Sequence, residues 1–131
     1  MLIVIESNSE LPIYEQIVRQ VKFAVATGSL RPGDRVDSVR DLAKKIVVNP
    51  NTVARAYRDL QEDGVLETVR GQGLKVCSRA LRRCLAERKS LIRERLQEVL
   101  REAAQSNLSR EEIEAIVEEE LNRYVPIEEV P

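Results

Sequence analysis

The apolar positions change rhythm along the chain, and each change marks an element. Leu2-Ile-Val-Ile5 is an unbroken run of branched residues, the composition of a short strand. A polar linker, Glu6 to Glu10, separates it from Pro12, which stands where proline opens a helix. Apolar residues then fall at 13, 14, 17, 18, 21, 24 and 25, the spacing of a helix that Gly28 ends. Arg31-Pro-Gly-Asp34 has turn composition, and Arg35-Val36 reads as a short extended piece. Ser38, with Asp41 three residues later, opens a second helix whose stripe is Val39, Leu42, Ala43 and Ile46. Asn49-Pro50 opens a third, as cap residue and first-turn proline, and Gly64 closes it.

Beyond Gly64 the period shortens. Val65 to Val69 and Leu74 to Val76, joined by Arg70-Gly-Gln-Gly73, predict a β-hairpin. Residues 79 to 105 form a long charged helical stretch with apolar positions Leu81, Leu85, Ile92, Leu96, Val99 and Ala103. Asn107 to Ser109 breaks it. Ser109, with Glu112 three residues on, starts a last helix with the stripe Ile113, Ile116, Val117, Leu121 and Tyr124, and Pro126 ends it.

This order predicts a mainly α protein with a small β-hairpin. Residues 1–77 are expected to form a winged helix-turn-helix domain, its short N-terminal extended segment included, and residues 78–131 a helical dimerisation domain. In a helix-turn-helix the second helix of the pair enters the major groove. At about 100° per residue, Val53, Ala56, Tyr57 and Leu60 share one side of the Asn49–Gly64 helix. Asn51, Arg55, Arg58 and Glu62 share the other. Arginine can hold guanine O6 and N7 with two bonds, and asparagine adenine N6 and N7. Pro50 removes one N–H from the helix opening, and the amides of Asn51 and Thr52 are expected to remain for a phosphate.

A polar outer face is also what any solvated helix shows, so charge decides between the two readings. Residues 35–58 carry six basic side chains (Arg35, Arg40, Lys44, Lys45, Arg55, Arg58) against Asp37 and Asp41, a local charge of 6 − 2 = +4. The whole chain of 131 residues is net −1. The local patch is the footprint that counts for nucleic acid. Arg70 and Lys75 extend it around the glycines of the hairpin tip, where backbone can approach a phosphate or the minor groove closely.

Composition removes other classes. Without histidine, Ser–His and Cys–His nucleophile machinery and histidine zinc sites cannot be built, and two cysteines cannot make a four-cysteine site. No enzyme activity, metal or cofactor is expected, and an unidentified small-molecule effector is left open. No apolar run reaches the roughly 20 residues of a membrane span, and no signal peptide is read. A cytoplasmic location and no membrane partner are expected. Cys77 and Cys84 are then two small reduced residues, or a thiol redox sensor if neighbouring arginines lower a thiol pKa.

The stretches Leu11-Pro-Ile-Tyr-Glu-Gln-Ile17, Gly28-Ser-Leu-Arg-Pro-Gly-Asp-Arg-Val36, Ser38-Val-Arg-Asp-Leu-Ala43, Asn49-Pro-Asn-Thr-Val-Ala-Arg-Ala-Tyr57 and Arg70-Gly-Gln-Gly73 resemble, in order, the GntR family of bacterial transcription regulators. The Asn-Pro-Asn-Thr-Val opening and the short C-terminal part resemble its YtrA-like subfamily. The resemblance implies a dimeric regulator, usually a repressor, that binds double-stranded operator DNA. It also implies a phosphate contact for Arg40, recognition-helix roles for Asn49, Asn51, Thr52 and Arg55, and a wing-tip role for Gly71. The helix-face reading adds Arg58, Gln72 and Lys75. Three positions depart from the family pattern: Val47 stands where glycine is usual in the turn before the recognition helix, Asp37 replaces a common proline, and Leu74-Lys75 replaces Thr-Phe.

Residues 77–131 carry ten basic and twelve acidic side chains, so this part adds little DNA affinity. A piece of about 55 residues sits near the lower limit for an independent core. The stripe Leu81, Leu85, Ile92, Leu96, Val99, Ile113, Ile116, Val117 and Leu121 is therefore expected to pair with a second copy, the alternative being that it folds back on the helix over Ile13–Ala26 of its own chain. The sequence thus reads as a homodimeric repressor binding an inverted repeat through helix 50–64 and wing 65–77. A winged helix used as a protein–protein interaction module, without DNA, is the alternative.

Overall fold

The structure, a computed structural model, describes residues 2–71 and 73–128. Gln72 therefore lies outside the described residues. Among the described residues, five helices and one antiparallel hairpin follow in the order α1 (Ile13–Ala26), α2 (Val39–Ile46), α3 (Pro50–Glu62), β1 (Leu66–Val69), β2 (Gly73–Val76), α4 (Ala80–Gln105) and α5 (Arg110–Tyr124). Two compact units divide the chain, Met1–Lys89 and Ser90–Pro131. The division falls inside α4, because Ala80 and Cys84 are fully buried in the core of the first unit.

That core gathers Ile17, Val21 and Val25 of α1, Leu42 and Ala43 of α2, Val53, Ala56, Tyr57 and Leu60 of α3, and Val65, Leu66 and Val76 of the hairpin. The caps are those the sequence supplies. Ser38 accepts a hydrogen bond from the Asp41 amide at 3.1 Å, and Ser109 one from the Glu112 amide at 3.2 Å. A side-chain cap of this kind stabilises a helix by about 1 kcal/mol.

The hairpin pairs Leu66 with Val76, Glu67 with Lys75, Thr68 with Leu74 and Val69 with Gly73. Gly71 and Gly73 flank its tip at φ 76° and 77°, where a side chain would be strained. The predicted extended piece at Arg35-Val36 lies along β2: Arg35 bridges Lys75, and the Val36 amide donates to the Leu74 carbonyl at 3.0 Å.

Among the described residues, the expected strand Leu2–Ile5 pairs with no other strand. Two glutamines of α1 take the place of a partner. Gln20 accepts from the Val4 amide at 2.9 Å and donates to the Val4 carbonyl at 2.6 Å. Gln16 does the same for Glu6, at 2.9 and 3.0 Å. Each primary amide meets both backbone groups of one residue, which satisfies them without a ladder, while Ile3 buries beneath.

In the second unit, α5 contains no buried residue. Ile92, Leu96, Val99, Ile116, Val117 and Leu121 are exposed by 39–59%, and a groove is lined by Leu100, Ile113, Val117 and Leu121.

Candidate nucleic-acid interface

The turn between α2 and α3 sets the angle of the candidate recognition helix, and it is strained. Val47 caps α2 in the left-handed region, at φ 54° and ψ 56°, with its side chain 90% exposed. For a β-branched residue this costs on the order of 1–2 kcal/mol, and no packing returns it. The turn therefore has the geometry that glycine adopts freely, built here with valine. Tyr57 fixes the other side of the joint: its hydroxyl donates to the Asp37 carbonyl at 2.7 Å. Burial raises the Tyr57 pKa well above the ordinary tyrosine value.

On α3 the inner face is the predicted one, with Val53, Ala56, Tyr57 and Leu60 buried. Asn51, Arg55 and Arg58 are exposed and Thr52 is half-buried. Asn49 caps the helix, its Oδ1 accepting from the Asn51 amide at 2.8 Å. The Thr52 amide donates to the Asn49 carbonyl at 3.0 Å. The expected phosphate-binding amides are thus spent within the cap. A phosphate at this end would displace Asn49 or rely on side chains.

The basic residues sort by partner. Lys45 pairs with Asp37 at 3.0 Å, so the carboxylate that replaces the common proline is neutralised. Lys75 pairs across the hairpin with Glu67 at 3.4 Å, which leaves the wing's lysine a compensated charge. Among the described residues, Arg40 and Arg58 have no carboxylate within ion-pair distance, and both are exposed. Arg55 is different again: its guanidinium carbon lies 3.7 Å from the centre of the Tyr14 ring on α1. Spacing puts Tyr14 in the apolar stripe of α1 and gives no hint of this contact, which joins two helices across 41 positions (55 − 14).

A second feature that spacing does not reveal lies at the far end of α3. Lys22 of α1 is buried and bonds both Asp63 Oδ2, at 2.7 Å, and Glu87 Oε2, at 2.8 Å. Burial acts to lower its pKa, but the two carboxylates outweigh that and raise it above the ordinary lysine value. Spacing places Lys22, between Val21 and Phe23, on the buried side of α1 but does not give its two partners.

The thiols lack the features of a redox sensor. Cys84 is fully buried and its pKa is pushed up to about 11, mainly by burial. Cys77 is also raised, by burial first and then by Glu67. Both shifts reduce the thiolate fraction that oxidation requires. Among the described residues no group of three His, Cys, Asp or Glu side chains is placed to hold a metal, and no helix is long and apolar enough to cross a membrane.

Comparison with known proteins bears on the same residues. The family model for "Bacterial regulatory proteins, gntR family" matches residues 13–76, from α1 to the end of the hairpin. The HTH-type transcriptional repressor YtrA of Bacillus subtilis is 36% identical over 118 residues, 90% of this chain and 91% of that protein. A GntR family transcriptional regulator from Listeria monocytogenes superposes with a TM-score of 0.60 at 32% identity, covering 86% of this chain and 97% of that one. The AraR DNA-binding domain, solved in complex with operator ORX1, matches with a TM-score of 0.51 at 27% identity over 56% of this chain and 94% of that one.

Proposed function

Because this chain belongs to the gntR family of bacterial regulatory proteins, we propose that it is a cytoplasmic, homodimeric transcriptional repressor that binds an inverted-repeat operator. The observation that carries the reading is the outer face of α3. It presents Asn51, Arg55 and Arg58 on a helix held by Val47, Tyr57 and the Asn49 cap, beside the uncompensated Arg40. The operator complex of AraR supports this use of the fold.

Arg40 sets register through a phosphate, while Asn51, Thr52 and Arg55 reach base edges. Arg58 adds charge along the groove. Gly71, with the wing's backbone at the hairpin tip, approaches the neighbouring groove or its phosphates, and Lys75 contributes there only by exchanging Glu67 for DNA. Residues 1–77 form the DNA-binding domain and 78–131 the dimerisation domain, whose first helical turns contribute Ala80 and Cys84 to the DNA-binding core. The exposed apolar stripe of α4 and α5 supports the second part: it begins at Leu81 and the half-buried Leu85 and leaves α5 without a buried residue. A dimer formed through that stripe is expected to meet half-sites about 34 Å apart, one helical turn of DNA.

Arg40→Ala tests the reading. It should weaken binding to every sequence alike and reduce the salt slope of the binding constant by about one for each phosphate that the side chain neutralises. Binding that does not change with salt, in the parent protein, would favour an apolar protein partner for this fold.

A further inference from the structure

The stacking of Arg55 on Tyr14 assigns a role to a residue outside the recognition helix. We propose that Tyr14 is a positioning residue for base recognition, holding the Arg55 guanidinium in the orientation with which it meets a base edge. This rests on the reading of α3 as the groove-entering helix.

Three observations carry it. First, the guanidinium carbon sits 3.7 Å from the ring centre, a stacking distance. Stacking occupies the faces of the guanidinium and leaves its N–H donors, which lie in its plane, free for a two-bond contact. Second, the ring is itself fixed. Tyr14 is half-buried against the core, and its hydroxyl donates to Glu15 Oε1 at 3.0 Å, so it does not compete for the donors of Arg55. Third, Arg55 is exposed on the same outer face as Asn51 and Arg58. An arginine free in solvent loses several rotors when it binds; one already stacked loses fewer.

The consequence is specific. Tyr14 touches no base, yet discrimination at the base pair read by Arg55 depends on it. The experiment uses the full chain and an operator obtained by selection on random duplex DNA, with variants changed one base pair at a time. Tyr14→Leu should reduce discrimination at one position in each half-site about threefold to tenfold, leaving the other positions within about twofold. Tyr14→Phe, which keeps the ring, should restore it. In an Arg55→Ala background, Tyr14→Leu should add no further loss at that position. Thermal midpoints measured alongside identify any variant that fails to fold; if Tyr14→Leu is one, Tyr14→Met, which also removes the ring but keeps an apolar side chain, takes its place in both backgrounds. Equal loss at all positions would overturn the proposal by making Tyr14 a general packing residue. So would unchanged discrimination in Tyr14→Leu beside a clear loss in Arg55→Ala, an outcome that leaves the reading of α3 intact. A parent protein that discriminates no sequence would overturn both together.

Discussion

Val47 shows most plainly how one side chain and its backbone can disagree. Its φ of 54° belongs to glycine, and its side chain is exposed, so replacing it alters the conformational preference and almost no packing. Val47→Gly should raise stability by about 1 kcal/mol, the relief of left-handed strain less the entropy glycine adds to the unfolded chain. Urea unfolding checks this; an unchanged or lower midpoint would mean that the turn is not strained. A valine in place of glycine is visible in the letters, but its strain is not, because φ depends on how α2 and α3 meet. The same holds for Arg55 and Lys75. Their charge is written in the sequence, but whether a ring or a carboxylate already engages it is a fact of tertiary packing.

Among the elements, caps and breaks are legible because their chemistry is local. Ser38, Asn49 and Ser109 accept amides two or three residues away, and Gly28, Gly64 and Asn107 take the left-handed conformations that end helices. Leu2–Ile5 has the letters of a strand and forms none, because branched residues favour extended backbone in any setting. What satisfies that backbone, the pair Gln16 and Gln20, sits ten or more positions away. The Lys22 clamp is non-local in the same sense, tying α1 to the end of α3 and to the first turns of α4. Lys22→Met keeps the aliphatic stem but leaves Asp63 without this cation and Glu87 with Arg83 alone, at 3.7 Å. It should cost about 1–2 kcal/mol in thermal or urea unfolding, below the range for a fully buried pair because both carboxylates are partly solvated. Unaltered stability would show that desolvation of the ammonium cancels both ion pairs.

For the molecule as a whole, the apolar stripe of the last two helices is the largest feature that one chain leaves unexplained. Spacing alone picks out its residues, but cannot say whether a helix buries its stripe against its own chain or another. The structure leaves α5 without a buried residue, and this favours the second answer. Leu96→Asp combined with Ile116→Asp places charge in that stripe and should convert a dimer to monomers, read by sedimentation. Operator affinity should fall with it, because two half-sites would no longer be bound together. A monomeric parent would rule out the two-fold arrangement.

Everything proposed for the DNA-binding unit depends on the outer face of α3 reading a base sequence, and site selection from random duplex DNA at about 0.15 M salt asks that question of the intact protein. The expected result is an enriched inverted repeat, with half-sites about one helical turn apart, bound at least about 10³-fold tighter than a scrambled duplex. No enrichment, with the selected and scrambled duplexes bound equally, would mean that α3 reads no sequence.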